Sequence, residues 1–210
     1  MKIITLAVSL LISYSMLGAA ANEKFTVVSK NMIKNPDFSK GTDFPDDWKL
    51  TLMAKEVFNI KWIKPKDGKN YLSMESLGPD YSGYITQNVR VKKDAWYRIK
   101  IRLSHSMGRG LIWVYGLDEN SKPVLFDRRK YLSSFVGNPL VPRFVRKELM
   151  SGTDSDAWRD VTFDFQNKGN NKQPAPTTLR LSFGIYFTNA KIRFRKIEMW
   201  EIKPEGSNAK

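Results

Sequence analysis

Beyond its first 21 residues, the chain alternates apolar and polar positions with period two, and no stretch carries a helical period. Tyr97, Ile99, Ile101 and Leu103 point one way while Arg98, Lys100 and Arg102 point the other. Leu179, Leu181, Phe183, Ile185 and Phe187 form an apolar row opposite Arg180, Ser182, Gly184 and Tyr186. Val161, Phe163 and Phe165 alternate with Asp160, Thr162 and Asp164. The pattern predicts strands near 25–33, 48–52, 56–63, 70–76, 83–91, 96–104, 110–117, 123–128, 158–166, 178–188 and 191–202. The last segment changes phase. Ile192 and Phe194 point inward, then Ile197 and Met199 take over, which predicts a β-bulge near Arg195-Lys196. Strands in series without crossover helices predict an all-β antiparallel sandwich of two sheets, a jelly roll.

Between these strands, 118–156 reads as irregular. It contains Gly137-Asn138-Pro139, Pro142 and a basic cluster of Arg128, Arg129, Lys130, Arg143, Arg146 and Lys147. A short helix over 143–150 fits within it, 169–176 reads as a polar turn and 205–210 as a loose tail. No internal repeat is visible, and one domain over 22–204 is expected.

The N-terminus changes the setting. Met1-Lys2, the apolar stretch Ile3 to Leu17 and Gly18-Ala19-Ala20-Ala21 have the order of a secretory signal peptide cut after Ala21. The apolar run is shorter than the roughly 20 residues of a spanning helix. The protein is therefore expected outside the inner membrane, as periplasmic, cell-surface or secreted, with no membrane span. It has no cysteine, which excludes disulfides, a thiolate nucleophile and a cysteine metal site. Lys and Arg number 35 against 21 Asp and Glu, a net charge of +14. Such a field favours acidic partners, although solubility alone also accounts for it.

The order of motifs resembles a known family. Asn31-Met-Ile-Lys-Asn35-Pro-Asp-Phe38-Ser-Lys-Gly41, followed by Pro45-Asp-Asp-Trp48, resembles the opening of the jelly-roll carbohydrate-binding modules of cellulases and xylanases, which have a galactose-binding-domain-like fold. Gly68-Lys-Asn-Tyr-Leu72, Tyr84-Ile-Thr-Gln87-Asn-Val89-Arg-Val91, Tyr97 and Trp158-Arg-Asp-Val161-Thr-Phe163 are similar to later segments of that family. The resemblance implies a non-catalytic module that binds polysaccharide. It also implies a structural calcium, held by carboxylates near the first strand and an acid in the last. Lys196 stands where that acid is expected, and a lysine repels calcium, so no cofactor is expected. The Lys196 amine is a candidate internal cation in its place.

Sugar binding needs flat aromatic faces and a few fixed polar groups. Trp113 and Tyr115 share one face of their strand. Arg98, Lys100 and Arg102 share another, and so do Arg180, Ser182 and Tyr186. If these strands are neighbours, they make an aromatic and basic groove suited to an acidic glycan. Otherwise Trp113 is core and the arginines are a solvated face. Trp62, Tyr71, Tyr81 and Tyr84 lie in or beside loops, with Tyr81 the leading loop candidate. Trp48, Trp96, Tyr97 and Trp158 read as core or strand starts, and Gln87 either serves a ligand hydroxyl or is structural. The binding set is thus Trp113, Tyr115, Tyr81, Tyr84, Arg98, Arg102, Arg180 and Tyr186.

Catalysis has little support in the sequence. Asp43, Asp46, Asp47, Glu56, Glu75, Asp160 and Asp164 stand in no glycosidase motif. The single histidine, His105, has no nucleophile elbow near it and excludes two-histidine metal motifs. The leader argues against a nucleic-acid partner. The alternative is an exported envelope or adhesion adaptor that binds a protein. It would show a broad apolar patch, where a glycan binder shows aromatics exposed in a groove.

Overall fold

The computed structural model describes residues 24–107, 109–133, 157–169, 174–187 and 189–205. The leader and the helix expected over 143–150 lie outside them. Among these residues, eleven strands form two antiparallel sheets. They are β1 (Phe25–Val27), β2 (Lys49–Leu52), β3 (Phe58–Ile63), β4 (Tyr71–Ser76), β5 (Gly83–Arg90), β6 (Trp96–Met107), β7 (Arg109–Leu117), β8 (Pro123–Ser133), β9 (Arg159–Gln166), β10 (Thr178–Ile185) and β11 (Ala190–Pro204). One sheet runs β3-β4-β11-β6-β9, with β1 also paired to β11; the other runs β2-β5-β10-β7-β8. No helix among the described residues is long and apolar enough to cross a membrane.

The two inner faces meet in one core. Tyr97, Ile99, Ile101 and Leu103 of β6 are fully buried, as are Leu179, Leu181, Phe183 and Ile185 of β10. Alternation thus resolved these strands correctly, because a pleat turns every second side chain to one face. Burying each such chain stabilises the fold by roughly 1.5–3 kcal/mol. The expected bulge is present: the pairing of β11 with β6 shifts register between Phe194 and Lys196.

Three expectations change. The first strand ends at Val27, because the chain then folds into the loop carrying Asn35 and Phe38. β8 runs on through Ser133, so Arg128, Arg129 and Lys130 belong to a strand and not to a loop. β10 ends at Ile185, and Phe187 has a left-handed backbone (φ 43°) with 39% of its surface exposed.

The opening motif is a structural knot. Asn35 is buried with φ 47°, and its Nδ2 donates to the carbonyls of Lys40 and Asp46 at 2.8 and 3.0 Å. Its own carbonyl accepts from Trp48 Nε1 at 3.0 Å. Phe38, also at positive φ, is fully buried against Trp48. A bulky residue in that conformation is strained and persists only where packing compensates. Gly41 has φ 131°, and a Cβ there would collide with the Phe44 carbonyl oxygen. The knot grips the second sheet through Gln87, which accepts from Lys34 N at 2.9 Å and donates to the Lys34 carbonyl at 3.0 Å. Gln87 is therefore structural.

Candidate functional site

Register assembles the site. On the outer face of the five-stranded sheet, Lys49, Thr86, Ser182, Trp113 and Arg129 stand in one row across β2, β5, β10, β7 and β8. The next row holds Asn88, Arg180, Tyr115 and Asp127, and the row on the other side holds Thr51, Tyr84, Gly184 and Leu111. Strands sit about 4.8 Å apart, so the five-residue row spans roughly 19 Å. Ile112 and Val114 turn into the core, which directs Trp113 and Tyr115 outward.

The aromatic rings touch one another. Trp113 lies 4.9 Å from Tyr115 and 6.1 Å, edge to face, from Tyr84. Tyr84 is only 8% exposed, yet its register is outward; neighbours on the same face cover it. At Gly184 a Cβ would collide with the Gly83 carbonyl and sit 2.8 Å from Tyr84 Cα, so glycine lets β5 and β10 approach there.

Cations are stacked on this platform. The Arg129 guanidinium sits 4.7 Å over Trp113, and that of Arg180 sits 5.7 Å over Tyr115. Asp127 orders the first pair: it accepts from Trp113 Nε1 at 3.1 Å and from Arg129 Nε and Nη2 at 2.9 and 2.6 Å. Arg180 has neutral partners, the Tyr115 hydroxyl at 3.1 Å and Asn88 Oδ1 at 3.0 Å. Beside it lies a depression of about 210 Å³, walled by Lys49, Thr51, Thr86, Asn88 and Arg180. The surface can stack the apolar face of a sugar ring, donate to hydroxyls and offer the positive charge of Arg180 to a carboxylate.

Of the eight candidate residues, the structure brings four together here: Trp113, Tyr115, Tyr84 and Arg180. Arg98 and Arg102 lie on the outer face of the other sheet, because β6 pairs with β9 and β11 and not with β7. Arg98 donates from Nε and Nη2 to both oxygens of Asp164 at 2.8 and 2.7 Å, and this pairing raises its pKa. Arg102 and Lys100 share Asp160 at 3.3 and 3.1 Å. Burial pushes the Asp160 carboxyl up, but hydrogen bonds and charge from these two cations outweigh it and hold it below the ordinary aspartate value. Asp160 and Asp164 are thus ion-pair partners.

Tyr81 is half-buried, packed on the core and under Gly78. Tyr186 lies beyond the end of β10, stacked on Phe187 at 4.9 Å and under Arg109 at 5.8 Å, away from the aromatic row. Trp62, Tyr71 and Tyr84 lie at strand ends beside loops, as expected. Ser182 is 2% exposed, so it is floor and not a solvated position. Lys196 is no internal cation: its side chain is 50% exposed and pairs with Glu198 at 2.8 Å. Among the described residues no three His, Cys, Asp or Glu stand together as a metal site.

Arg129 is the residue that sequence reasoning missed. It was grouped with a loop cluster, and its alternation with Asp127 was the available signal. Of the cluster's described members, Arg129 stands in the aromatic rows, Arg128 lies over Phe126 at 4.7 Å, and Lys130 reaches the Thr162 carbonyl of β9 at 2.8 Å.

No family model matches the chain. No curated protein matches it at a significant level. Solved structures match by shape. The enzymatically active domain of bacteriophage CBA120 tailspike protein 4 superposes with TM-score 0.59 at 8% identity, over 81% of this chain and 21% of that one. This chain thus spans about a fifth of the tailspike domain's length. The Stig cyclase Fisc from Fischerella sp. TAU gives 0.55 at 11% identity, over 85% and 99%. The xylan-binding domain CBM22-1 of Paenibacillus barcinonensis Xyn10C gives 0.50 at 12% identity, over 85% and 98%. Identities this low speak to fold alone, and the fold is a jelly roll of two antiparallel sheets.

Proposed function

We propose that this protein is an exported, non-catalytic polysaccharide-binding module whose ligand lies across the outer face of the five-stranded sheet. One observation carries the reading: Trp113, Tyr115 and Tyr84 stand as a contiguous aromatic row, with Arg129 and Arg180 stacked on it. Trp113 and Tyr115 would take the apolar faces of sugar units, with the buried Tyr84 bracing Trp113 edge to face. Arg180, whose partners are neutral, would take a uronate or other acidic substituent. A xylan-binding domain of the same fold supports the reading. The fold type also occurs in a cyclase and in a tailspike enzymatic domain, so the non-catalytic part rests on the residues. Asp160 and Asp164 are held by cations and stand on the opposite sheet. The leader motif over residues 1–21 supports export.

Among the described residues, the exposed large apolar side chains are Val27 of β1, Leu50 of β2, Leu125 of β8, and Val28, Met53, Leu77 and Phe187 of four loops. The test is a glycan array of neutral and acidic polysaccharides, repeated at high salt. Binding that survives salt supports ring stacking. Binding to acidic chains that vanishes with salt assigns the energy to the arginines. Absence of binding to every glycan overturns the proposal and leaves the protein adaptor.

A further inference from the structure

The outer face of the six-stranded sheet holds a cleft of about 420 Å³, on the opposite side of the sandwich from the aromatic row. Lys100 and Arg102 of β6 and Arg195 and Lys196 of β11 line it, together with Lys69 and Asn70 of the turn before β4. Three carboxylates also line it, and two of them are engaged. Asp160 takes both Lys100 and Arg102, and Glu198 takes Lys196 at 2.8 Å. The third, Asp37, accepts from the backbone of Ser39 at 3.3 Å. Asp67 lies just outside the cleft and holds Lys69 at 3.5 Å. Even with Asp67 counted, cations exceed carboxylates.

Arg195 differs from the other cations. Its guanidinium lies 4.1 Å over Trp158, which is itself braced edge-on by Tyr71 at 5.6 Å. Among the described residues it makes no ion pair and no hydrogen bond, and its Nε is buried without an acceptor. A buried donor left unpaired is destabilising. A guanidinium orientated by stacking, with unused donors, suits the tetrahedral oxygens of a phosphate or sulfate group, which accept bidentate hydrogen bonds.

We infer that this cleft is a second binding site, for a compact tetrahedral anion, either free phosphate or sulfate or the same group carried on a polymer. Arg195 supplies the bidentate contact, and Lys69 and Lys196 add charge from two sides. The site is independent of the aromatic row.

The test is calorimetric titration of the purified protein with inorganic phosphate, inorganic sulfate, sulfated dextran and neutral dextran. Arg195→Gln should weaken anion binding roughly tenfold, the scale of a lost charge-assisted pair. Lys69→Glu, on an exposed turn that packs little, should weaken it in the same direction, so a folding defect in the first variant leaves the question decidable. Trp113→Ala should leave binding of inorganic phosphate and sulfate unchanged, which separates this site from the glycan surface. Neutral dextran should show no contribution from Arg195. Binding of the free anions alone assigns the site to a soluble anion. Binding of sulfated dextran alone, diminished in both variants, assigns it to a polymer-borne group. No anion binding by the wild type, or binding undiminished in both variants, overturns the inference.

Discussion

Both outer faces of the sandwich carry rows of arginine, yet the two sheets treat them differently. On the six-stranded sheet, cross-strand neighbours are acids. Arg98 stands opposite Asp164 and Arg102 opposite Asp160, and both pairs close. On the five-stranded sheet, cross-strand neighbours are aromatic. Arg180 stands opposite Tyr115 and Arg129 opposite Trp113, and both cations stack on rings. Arg98 and Arg102 are neutralised by acids across the strand, Arg129 is stacked and also paired with Asp127 of its own strand, and Arg180 is presented with neutral partners only. What stands one strand away decides between a closed ion pair and a cation stacked on a ring, because directly opposed side chains are the closest contacts a sheet offers.

The comparison breaks most visibly at Trp113. Trp113→Ala removes the ring that touches Tyr84, Tyr115 and Arg129. Glycan affinity should fall by about 2 kcal/mol, roughly thirtyfold in Kd by calorimetry. An unchanged Kd would remove the aromatic row from the binding account.

A matched pair of arginine variants sharpens it. Arg98→Ala leaves the Asp164 carboxylate without its bidentate donor, and both side chains are less than one-third exposed. Thermal unfolding should show a loss of about 1–2 kcal/mol, with glycan binding intact. Arg180→Ala should do the reverse. Affinity for an acidic glycan should drop about tenfold, while stability stays within about 0.5 kcal/mol. Equal stability losses in the two variants would erase the distinction between the faces.

Ionic strength offers a gentler probe. Raising salt from about 0.1 to 1 M shortens the screening length from about 10 to 3 Å. Binding of an acidic glycan should weaken several-fold in wild type and less in Arg180→Ala. Parallel curves would place the charge recognition elsewhere.

The smallest effect is acid sensitivity. The folded pKa of Asp160 is below its unfolded value. Its stabilisation is therefore present above the ordinary aspartate pKa of about 4 and is lost as pH falls toward the folded value. Asp160→Asn should be less stable than wild type at neutral pH by at most about 0.5 kcal/mol, because the pair is largely solvated. That difference should close below about pH 4. A gap that persists in acid would assign the effect to packing.

Much of this fold is legible in the residues. The strand positions, the inward sides of β6, β9 and β10 and the bulge after Phe194 all follow from side-chain period, since a pleat allows only two directions. The opening motif is also legible. Asn35, Phe38, Gly41 and Trp48 carry their family likeness because positive φ, burial and backbone capping leave few alternatives. The leader, the tail and the helix expected over 143–150 fall outside the described residues and stand as expectations.

Trp113 shows where period stops informing. Leu111 to Tyr115 is apolar on both sides, so alternation does not say which set enters the core. The register with β10 decides it, placing Val114 opposite Leu181 and Trp113 opposite Ser182. Tyr81 and Tyr186 fail as row members for a related reason: chain ends between strands carry no register.

By itself the sequence determined which residues form strands and which side of most strands is apolar, because local sterics and burial act within a few residues. The allocation of strands to sheets was decided only in three dimensions. β6 and β10 both read as apolar rows backed by arginine, and nothing within either strand says that β9 will bring acids to one and β7 aromatics to the other. Those pairings join segments more than 50 residues apart, with 66 between Arg98 and Asp164 and 65 between Arg180 and Tyr115. Strand pairing is a property of the whole packed core, so the aromatic and cationic face came into existence only when the sandwich closed.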